Sequence, residues 1–188
     1  MQVTINANGK TVQAEISEGQ LKELGLVEQL KKLGLLEDKP KTGYERVKKG
    51  EMYYVIDTEY NSMLKITEFN DKEDEQCYNT GNYYNDKIIA ENNARADRLL
   101  RQLRQWQALN DKSISEKDWN DESKKKWFVA YSYGAEKLYA DYYYIMRLPN
   151  TIHFATKEKA EEAIEVFKDE LLWYFTEYVQ RLDEVQNG

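Results

Sequence analysis

The feature that most constrains this chain is a short pattern that occurs twice. Around Tyr84 the sequence reads YYNDKIIAENNA, and around Phe154 it reads HFATKEKAEEAI, at an offset of 154 − 84 = 70. In both copies an aromatic residue is followed by a helix-capping residue, then by Lys and, further on, by Ala-Glu. A strand end that leads into a capped helix explains both copies. The repetition predicts an internal duplication of a small sheet-plus-helix unit.

The segments around the two junctions also agree in element type. Upstream of the first lie the strand-like EMYYVID and MLKITEF, and QCYNTGNYY is a candidate third strand. Asp86 then caps a helix that we expect to end near Asn110. KKWFVAY and KLYADYYYIM repeat the strand pair, and Thr156 caps a second helix whose apolar face runs to Leu182. YYVID at Tyr53 aligns with WFVAY at Trp127, an offset of 127 − 53 = 74.

The N-terminal segment has its own pattern. Alternating residues on both sides of Asn8-Gly9 predict a β-hairpin, and Ser17 with Gln20 forms a capping box before a helix. We therefore expect an α+β fold, with an N-terminal β-hairpin plus helix and then two repeated small antiparallel sheet-plus-helix units. The expected domains are residues 1–36, 44–110 and 115–186.

Composition narrows the functional classes. The net charge of −7 argues against a protein that coats nucleic acid, although it leaves room for a local basic face. One cysteine, Cys77, cannot form an internal disulfide, and no apolar leader or membrane span is visible, so we expect a cytoplasmic protein without membrane contact. One histidine, His153, has no partner set for catalysis. The acidic run at 71–75 lacks the pattern of a calcium loop, and we interpret it as a solvated turn. We expect no enzyme, cofactor or metal site.

Charge is distributed unequally between the two predicted helices. The first carries arginines at three-residue spacing, whereas the second is acidic. Two interpretations stay open: the arginines pair with those carboxylates, or they face outward as a patch for phosphates or an acidic partner. In the second case the acidic helix, with its aromatic residues, would be a separate face that mimics the charge of DNA or docks a basic protein, whereas the default interpretation of such a face is a solvated one. The candidate partner-binding residues are Arg95, Arg98, Arg101, Arg104, Tyr142, Tyr144, Glu162, Glu165 and Trp173.

Four segments together carry a family resemblance. They are GYERVKKGEMYYVID, NTGNYYNDKIIAENNARADRLLRQL, KKWFVAY and HFATKEKAEEAIEVFKDEL. Over about residues 43–172 the chain resembles small accessory proteins encoded by phages and prophages of Gram-positive bacteria. The resemblance implies a gene of a mobile element, and inhibitors of bacterial immunity, including anti-CRISPR proteins, are a large class among such proteins. Ile88 and Ile89 depart from that type, in which glutamates are common, and predict a more buried first helix.

These observations support a leading hypothesis and two alternatives. The leading one is a non-enzymatic phage or prophage protein that binds a host protein in the cytoplasm of the infected bacterium and inhibits an antiviral defence. The first alternative is a nucleic-acid-binding accessory or regulatory protein that uses the arginine-rich helix. The second is a protein that holds a charged small molecule between the repeats.

Overall fold

The structure is a computed structural model that describes residues 2–7, 10–23, 25–27, 29 and 41–185. The chain divides into two compact units, Met1–Pro40 and Lys41–Gly188. The predicted segments 44–110 and 115–186 both fall within the second unit, and they are called its first and second halves below. The predicted turn residues Asn8 and Gly9 lie outside the described residues.

The first unit is a hairpin followed by a short helix. Strand β1 (Gln2–Ala7) pairs antiparallel with β2 (Lys10–Glu15), and α1 (Glu18–Glu23) follows. The hydroxyl of Ser17 accepts a hydrogen bond from the backbone N–H of Gln20 at 3.3 Å. The Gln20 side-chain oxygen accepts one from the backbone N–H of Ser17 at 2.9 Å, so the predicted capping box is confirmed.

The second unit contains two hairpins, each followed by helix. In chain order its elements are β3 (Met52–Asp57), β4 (Ser62–Thr67), α2 (Lys72–Asn79), α3 (Lys87–Asn110), α4 (Glu116–Trp119), β5 (Lys126–Ser132), β6 (Lys137–Tyr143), α5 (Lys157–Val166), α6 (Lys168–Thr176) and α7 (Leu182–Val185). β3 pairs antiparallel with β4, and β5 pairs antiparallel with β6. The described part of the chain thus has three two-stranded antiparallel sheets besides its helices, which confirms the α+β class.

The two halves make the same contact where the pattern repeats. Tyr84 forms an isolated antiparallel bridge to Tyr54, and Phe154 forms the same bridge to Trp127. Each bridge has two backbone hydrogen bonds, of 2.7 and 3.0 Å in both halves. The bridges make Trp127 the equivalent of Tyr54, at an offset of 127 − 54 = 73. The sequence alignment, which matched Trp127 with Tyr53, was therefore one residue out of register. Matching contacts support a duplication, which stays a hypothesis.

The caps of the two long helical segments also correspond. The Asp86 carboxylate accepts a hydrogen bond from the backbone N–H of Ile89 at 3.0 Å. The Thr156 hydroxyl accepts one from the backbone N–H of Lys159 at 3.3 Å. Since each cap satisfies one of the unpaired N–H groups of a first helical turn, it fixes where the helix begins.

The third strand expected in QCYNTGNYY does not form. Its first residues belong to α2, because Asp71 and Asp74 make a capping box that starts a helix in the acidic run. The extended pairing expected of this segment is limited to the single bridge at Tyr84. The acidic run was interpreted as a turn, and that interpretation was wrong as well.

The second predicted helix is divided rather than continuous. α5 ends at Val166, the backbone of Phe167 leaves the helical region (φ −112°, ψ 20°), and α6 begins at Lys168. Hydrogen bonds continue on both sides, from Phe167 N–H to Ala163 and from Leu171 N–H to Phe167. Tyr178 lies beyond the end of α6 and is not helical.

The GYERV segment of the family resemblance is bound to the first half. Gly43 has φ +96°, and a Cβ there would lie 3.0 Å from the side chain of Ile89, so only glycine fits. The Tyr44 ring packs on Tyr84 with centroids 5.2 Å apart. The backbone N–H of Val47 donates to the Tyr83 hydroxyl at 3.1 Å. These residues act as determinants of the fold.

A hydrophobic core joins the two halves of the second unit. Leu99 and Leu103 of α3 are buried together with Phe154, Ala163 and Leu171 of the second half. Each of these side chains is at most 5% exposed. Because the long helix of the first half supplies part of the core of the second, we expect the halves to unfold together.

Candidate functional site

The arginine row of α3 is divided among different environments. Arg95 forms a two-pronged ion pair with Glu170 of α6, with Nε–Oε2 at 2.9 Å and Nη2–Oε1 at 3.0 Å. Its guanidinium group also lies 4.0 Å from the ring centroid of Trp173. The hydrogen bond from Arg95 lowers the pKa of Glu170, against a smaller effect of partial burial. Arg95 therefore holds α3 against α6.

Of the four arginines, Arg95 alone forms an ion pair with a carboxylate of the acidic segment within the described residues, as the pairing interpretation predicted for the whole row. Arg98 donates to the side-chain oxygen of Asn61 at 3.0 Å, whereas Arg101 and Arg104 are exposed. Trp173, expected as a surface contact residue, is only 8% exposed and lies under Arg95. Of the row, Arg98, Arg101 and Arg104 remain candidates for binding.

Two small basic concavities lie along α3. The first, of about 310 Å³, is lined by Arg95, Arg98 and Arg101, by two carboxylates and by the β3–β4 turn region, so the arginines exceed the acidic groups by one. The carboxylates are those of Asp57 and Glu91. The second, of about 420 Å³, is lined by Arg104, Arg147 and the segment 148–151. The three-residue spacing turns successive arginines around the helix, so the row does not make one continuous surface.

An acidic groove of about 870 Å³ lies in the second half. It corresponds to the first concavity, because Glu165 lines the groove and Arg95, 70 residues earlier, lines that concavity. Four glutamates of α5 line the groove, and so do the apolar side chains of Trp106, Leu138 and Val166. The glutamates are Glu158, Glu161, Glu162 and Glu165. Both predicted acidic residues, Glu162 and Glu165, are thus brought to one groove. Val166 is 59% exposed, which leaves apolar surface uncovered beside the charges.

Lysines offset part of this negative charge. Lys157 pairs with Glu161 at 2.8 Å, and Lys159 pairs with Glu162 at 2.6 Å. For Glu165, no ion pair occurs among the residues that the structure describes. At the offset of 70 that relates the helices, 165 − 95 = 70, so Glu165 occupies the place that Arg95 has in the first half. Equivalent positions therefore carry opposite charge.

The tyrosines proposed from sequence belong to an aromatic row on the second hairpin. Trp127 and Tyr142 have ring centroids 4.9 Å apart, and Tyr142 and Tyr144 are 5.4 Å apart. The ammonium group of Lys125 lies 4.0 Å from the Tyr142 centroid.

A concavity of about 610 Å³ next to this row is rich in lysine. Lys125 and Trp127 line it together with four further lysines, namely Lys112, Lys124, Lys157 and the buried Lys126. Sequence reasoning missed these lysines, and the KKK run at 124–126 was a signal for three of them.

Lys126 of that run has a structural role. Its side chain is 1% exposed. The ammonium group donates to the backbone carbonyls of Asp121 and Lys124, both at 2.9 Å, and to that of Tyr144. These bonds tie the segment before β5 to the end of β6. A buried ammonium needs such acceptors, so this lysine is not free to bind a ligand.

The first half buries two carboxylates, Glu68 and Asp74. Glu68 accepts hydrogen bonds from Arg46, from the Tyr83 hydroxyl at 2.7 Å and from the backbone of Asn70 at 2.8 Å. Since its oxygens are already bound, Glu68 is placed to hold the fold and not to transfer a proton.

Asp74 is satisfied in the same way. It accepts a hydrogen bond from the Tyr53 hydroxyl at 2.7 Å and from the backbone N–H of Phe69 at 2.7 Å. Burial raises the pKa of Asp74, but the hydrogen bonds from Tyr53 and the backbone outweigh it, and the pKa is about 2. Burial, and then the same hydrogen bond, raise the pKa of Tyr53. Asp74 is therefore ionised and anchored at neutral pH.

His153 takes the place that Tyr83 has in the first half. It is 9% exposed, and neither ring nitrogen has a hydrogen-bond partner among the described residues. Its ring packs edge-on against Trp119 at 5.1 Å and Phe128 at 6.0 Å. Burial, and then the charge of Arg147, lower the pKa of His153. The ring is neutral and enclosed by aromatic groups, which is a packing role.

Cys77 is half-buried and packs beside the cluster of Tyr53, Val55 and Tyr83. Across the described ranges, His, Cys, Asp and Glu side chains form no group of three that could hold a metal ion. None of the helices in those ranges has both the length and the apolar character of a membrane span.

Comparison with known proteins finds no family model that matches the chain, no similar curated protein and no similar solved structure.

Proposed function

We propose that this protein is a non-enzymatic binding protein whose acidic groove takes a basic segment of another protein. In the finer form of the proposal, it is a phage or prophage protein, the partner is a host protein of a bacterial antiviral defence, and binding inhibits that defence. The observation that carries the proposal is the groove of about 870 Å³ that four α5 glutamates line together with the apolar side chains of Trp106, Leu138 and Val166.

The chemistry of this groove favours a basic peptide chain. Complementary charge steers association and selects the partner, whereas apolar contact at the centre of an interface supplies most of the affinity. The groove offers both, because Trp106 and the exposed Val166 lie beside the carboxylates. Lysine or arginine side chains flanking an apolar residue would match this arrangement. The net charge of −7 adds a general attraction for basic partners.

Phage infection of bacteria that carry one defence system at a time tests the finer proposal. Expression of the protein is expected to restore plaques on at least one such host and to change nothing on the host without defence. The double variant Glu162→Lys/Glu165→Lys should lose the effect, whereas Glu59→Lys, exposed in the β3–β4 turn, should keep it. Equal activity of both variants would rule out the acidic groove as the contact surface.

The first basic concavity of α3, of about 310 Å³, supports a second candidate, a nucleic-acid-binding accessory or regulatory protein. Arg98 and Arg101 line this concavity and are not buried against the acidic segment. Binding of a labelled oligonucleotide should then weaken steeply with salt and be lost in Arg98→Glu/Arg101→Glu. Binding that is independent of both changes, or no binding at low salt, would exclude this function.

A further inference from the structure

A separate apolar groove of about 430 Å³ opens where α3 meets the second half. Its walls come from α3, β5, the segment 149–152 and α6. Among the lining residues are Leu100, Val129, Tyr131, Thr151, Leu171 and Phe175. None of the four α5 glutamates lines it, so this groove is distinct from the acidic one.

The bottom of this apolar groove is the hydrophobic core itself. Leu103 and Phe154 line the groove and are 5% and 1% exposed. Concave sites of this size, largely apolar and with few polar groups, are typical of small-molecule binding. An apolar molecule placed here would remove from water the apolar surface of more exposed lining residues such as Tyr133 and Pro149, which is favourable.

One wall of the groove is a set of packed aromatic rings. Tyr131 is stacked nearly parallel to Phe175, with an interplanar angle of 13° and centroids 6.0 Å apart. Tyr133 and Tyr174 meet these two rings edge-on. The Tyr133 hydroxyl donates to the Phe175 carbonyl at 2.7 Å, which ties the β5–β6 turn to α6. Flat rings held in this way favour a flat, aromatic ligand.

Positive charge lies next to the groove at one side. Arg104 follows Leu100 by one helical turn on α3, and it lines the adjoining basic concavity with Arg147. The two hollows share the wall formed by residues 149–151. Within the described ranges neither arginine forms an ion pair with a carboxylate, although Arg147 lies 5.2 Å from the Trp119 ring. Both guanidinium groups can therefore donate hydrogen bonds to an anion.

We propose that this groove is a binding site for a small organic anion with a flat aromatic body, such as an aromatic sulfonate, carboxylate or phosphate. The aromatic body lies against Tyr131 and Phe175, and the anionic group lies towards Arg104 and Arg147. The proposal is independent of the acidic groove, whose charge would repel such a ligand.

Two fluorescent probes that differ in one charged group provide the test. They are 8-anilinonaphthalene-1-sulfonate and N-phenyl-1-naphthylamine, which has the same rings without the sulfonate. Both should bind the folded protein saturably at one site, the sulfonate more tightly. The variant Arg104→Gln should weaken sulfonate binding by about tenfold, the usual effect of losing one charge-assisted bond, and leave the neutral probe unchanged. Arg147→Gln should act in the same direction.

Arg101→Gln is the matched control, because Arg101 is also exposed on α3 but lines the other basic concavity. It should change neither affinity. Thr151→Trp, which fills the groove from a loop, should weaken both probes. The proposal is overturned if neither probe binds saturably, if Arg101→Gln and Arg104→Gln act alike, or if Thr151→Trp binds both probes as the unmodified protein does.

Discussion

The two halves of the second unit share a framework and differ in the chemistry placed on it. Both have a hairpin, an isolated bridge to an aromatic residue and a capped helix, with backbone hydrogen bonds of the same lengths at the bridge. Yet Tyr83 is replaced by His153, Tyr53 by Lys126 and Arg95 by Glu165 at the offsets that the structure defines. Backbone contacts are thus preserved where they set the fold, whereas side chains differ both inside and on the surface.

The interior difference shows that one architecture accepts two kinds of buried polar group. In the first half, carboxylates are buried and are bound by tyrosine, arginine and backbone donors. In the second half, the ammonium group of Lys126 is buried and is bound by carbonyls. Both arrangements satisfy a charge with local partners, so their removal should be costly in either half.

The largest effect is expected from Glu68→Ala in the first half. This change leaves the Tyr83 hydroxyl and the Arg46 guanidinium without their buried acceptor, and the expected loss is about 3–5 kcal/mol in the free energy of unfolding. Urea unfolding followed by circular dichroism measures it. Glu73→Ala, at an exposed position of α2, should stay within about 0.5 kcal/mol of the unmodified protein.

The same variant tests whether the halves unfold together. All four tryptophans lie beyond the first hairpin and α2, at 106, 119, 127 and 173. Their fluorescence therefore reports on the end of α3 and on the second half. If the shared core couples the halves, the fluorescence transition should shift to lower urea in Glu68→Ala together with the circular dichroism transition. A fluorescence midpoint that stays in place would show that the halves are independent.

Lys126→Met is the corresponding change in the second half. Methionine keeps most of the side-chain volume but leaves three backbone carbonyls without their shared donor, and we expect a loss of about 2–3 kcal/mol. Lys125→Met, one residue earlier and exposed, is the control measured by the same urea titration. A loss below about 0.5 kcal/mol for Lys126→Met would mean that water replaces the ammonium group easily.

The sequence predicts the hairpins and helix caps better than the buried polar groups of the two halves. The hairpins, the caps at Asp86 and Thr156 and the repeated junction depend on nearby residues, so their patterns are legible. The error at α2 arose because aromatic residues favoured a strand, while the Asp71 capping box was taken for a turn. No pattern singles out Lys126 from the two lysines before it, since one of its acceptors, the carbonyl of Tyr144, is 18 residues away and is brought near only by the fold.

The candidate sites were predictable to a smaller extent. Placing Glu162 and Glu165 on one acidic surface needed only helix periodicity, and the structure shows them in one groove. That Trp173 lies under Arg95 depends on how α6 packs against α3, which no local pattern specifies. The apolar groove was invisible for the same reason, because its walls come from four distant segments.

A smaller, pH-dependent effect should distinguish His153 from Tyr83. The folded state holds the pKa of His153 below its usual value through burial and the nearby Arg147 charge, whereas the unfolded chain takes up a proton near pH 6.5. Stability should therefore fall as pH drops below about 6.5, by at most about 1.4 kcal/mol per pH unit, and the loss should level off below the folded pKa.

Urea titrations at pH 7.0, 6.5, 6.0 and 5.5 measure this dependence. His153→Phe keeps an aromatic ring against Trp119 and removes the titrating group, so its profile should be flatter over the same range. The difference between the two proteins isolates the histidine from the carboxylates, which titrate in both. Parallel profiles would mean that the folded and unfolded states bind this proton equally.

The smallest effect concerns the contact that crosses the two halves. Arg95 and Glu170 are a little over one-third exposed, so water weakens their attraction, and their coupling free energy should be about 0.5–1 kcal/mol in a double-mutant cycle of Arg95→Ala and Glu170→Ala. Arg95→Lys sharpens the comparison, because lysine keeps the charge but loses the planar fork and much of the stacking on Trp173. If Arg95→Lys retains the whole coupling, the attraction is simply one of charge. If Arg95→Lys loses most of the coupling, the planar guanidinium group is what the contact requires. The second half has no such group at this position, since the equivalent Glu165 lines the acidic groove.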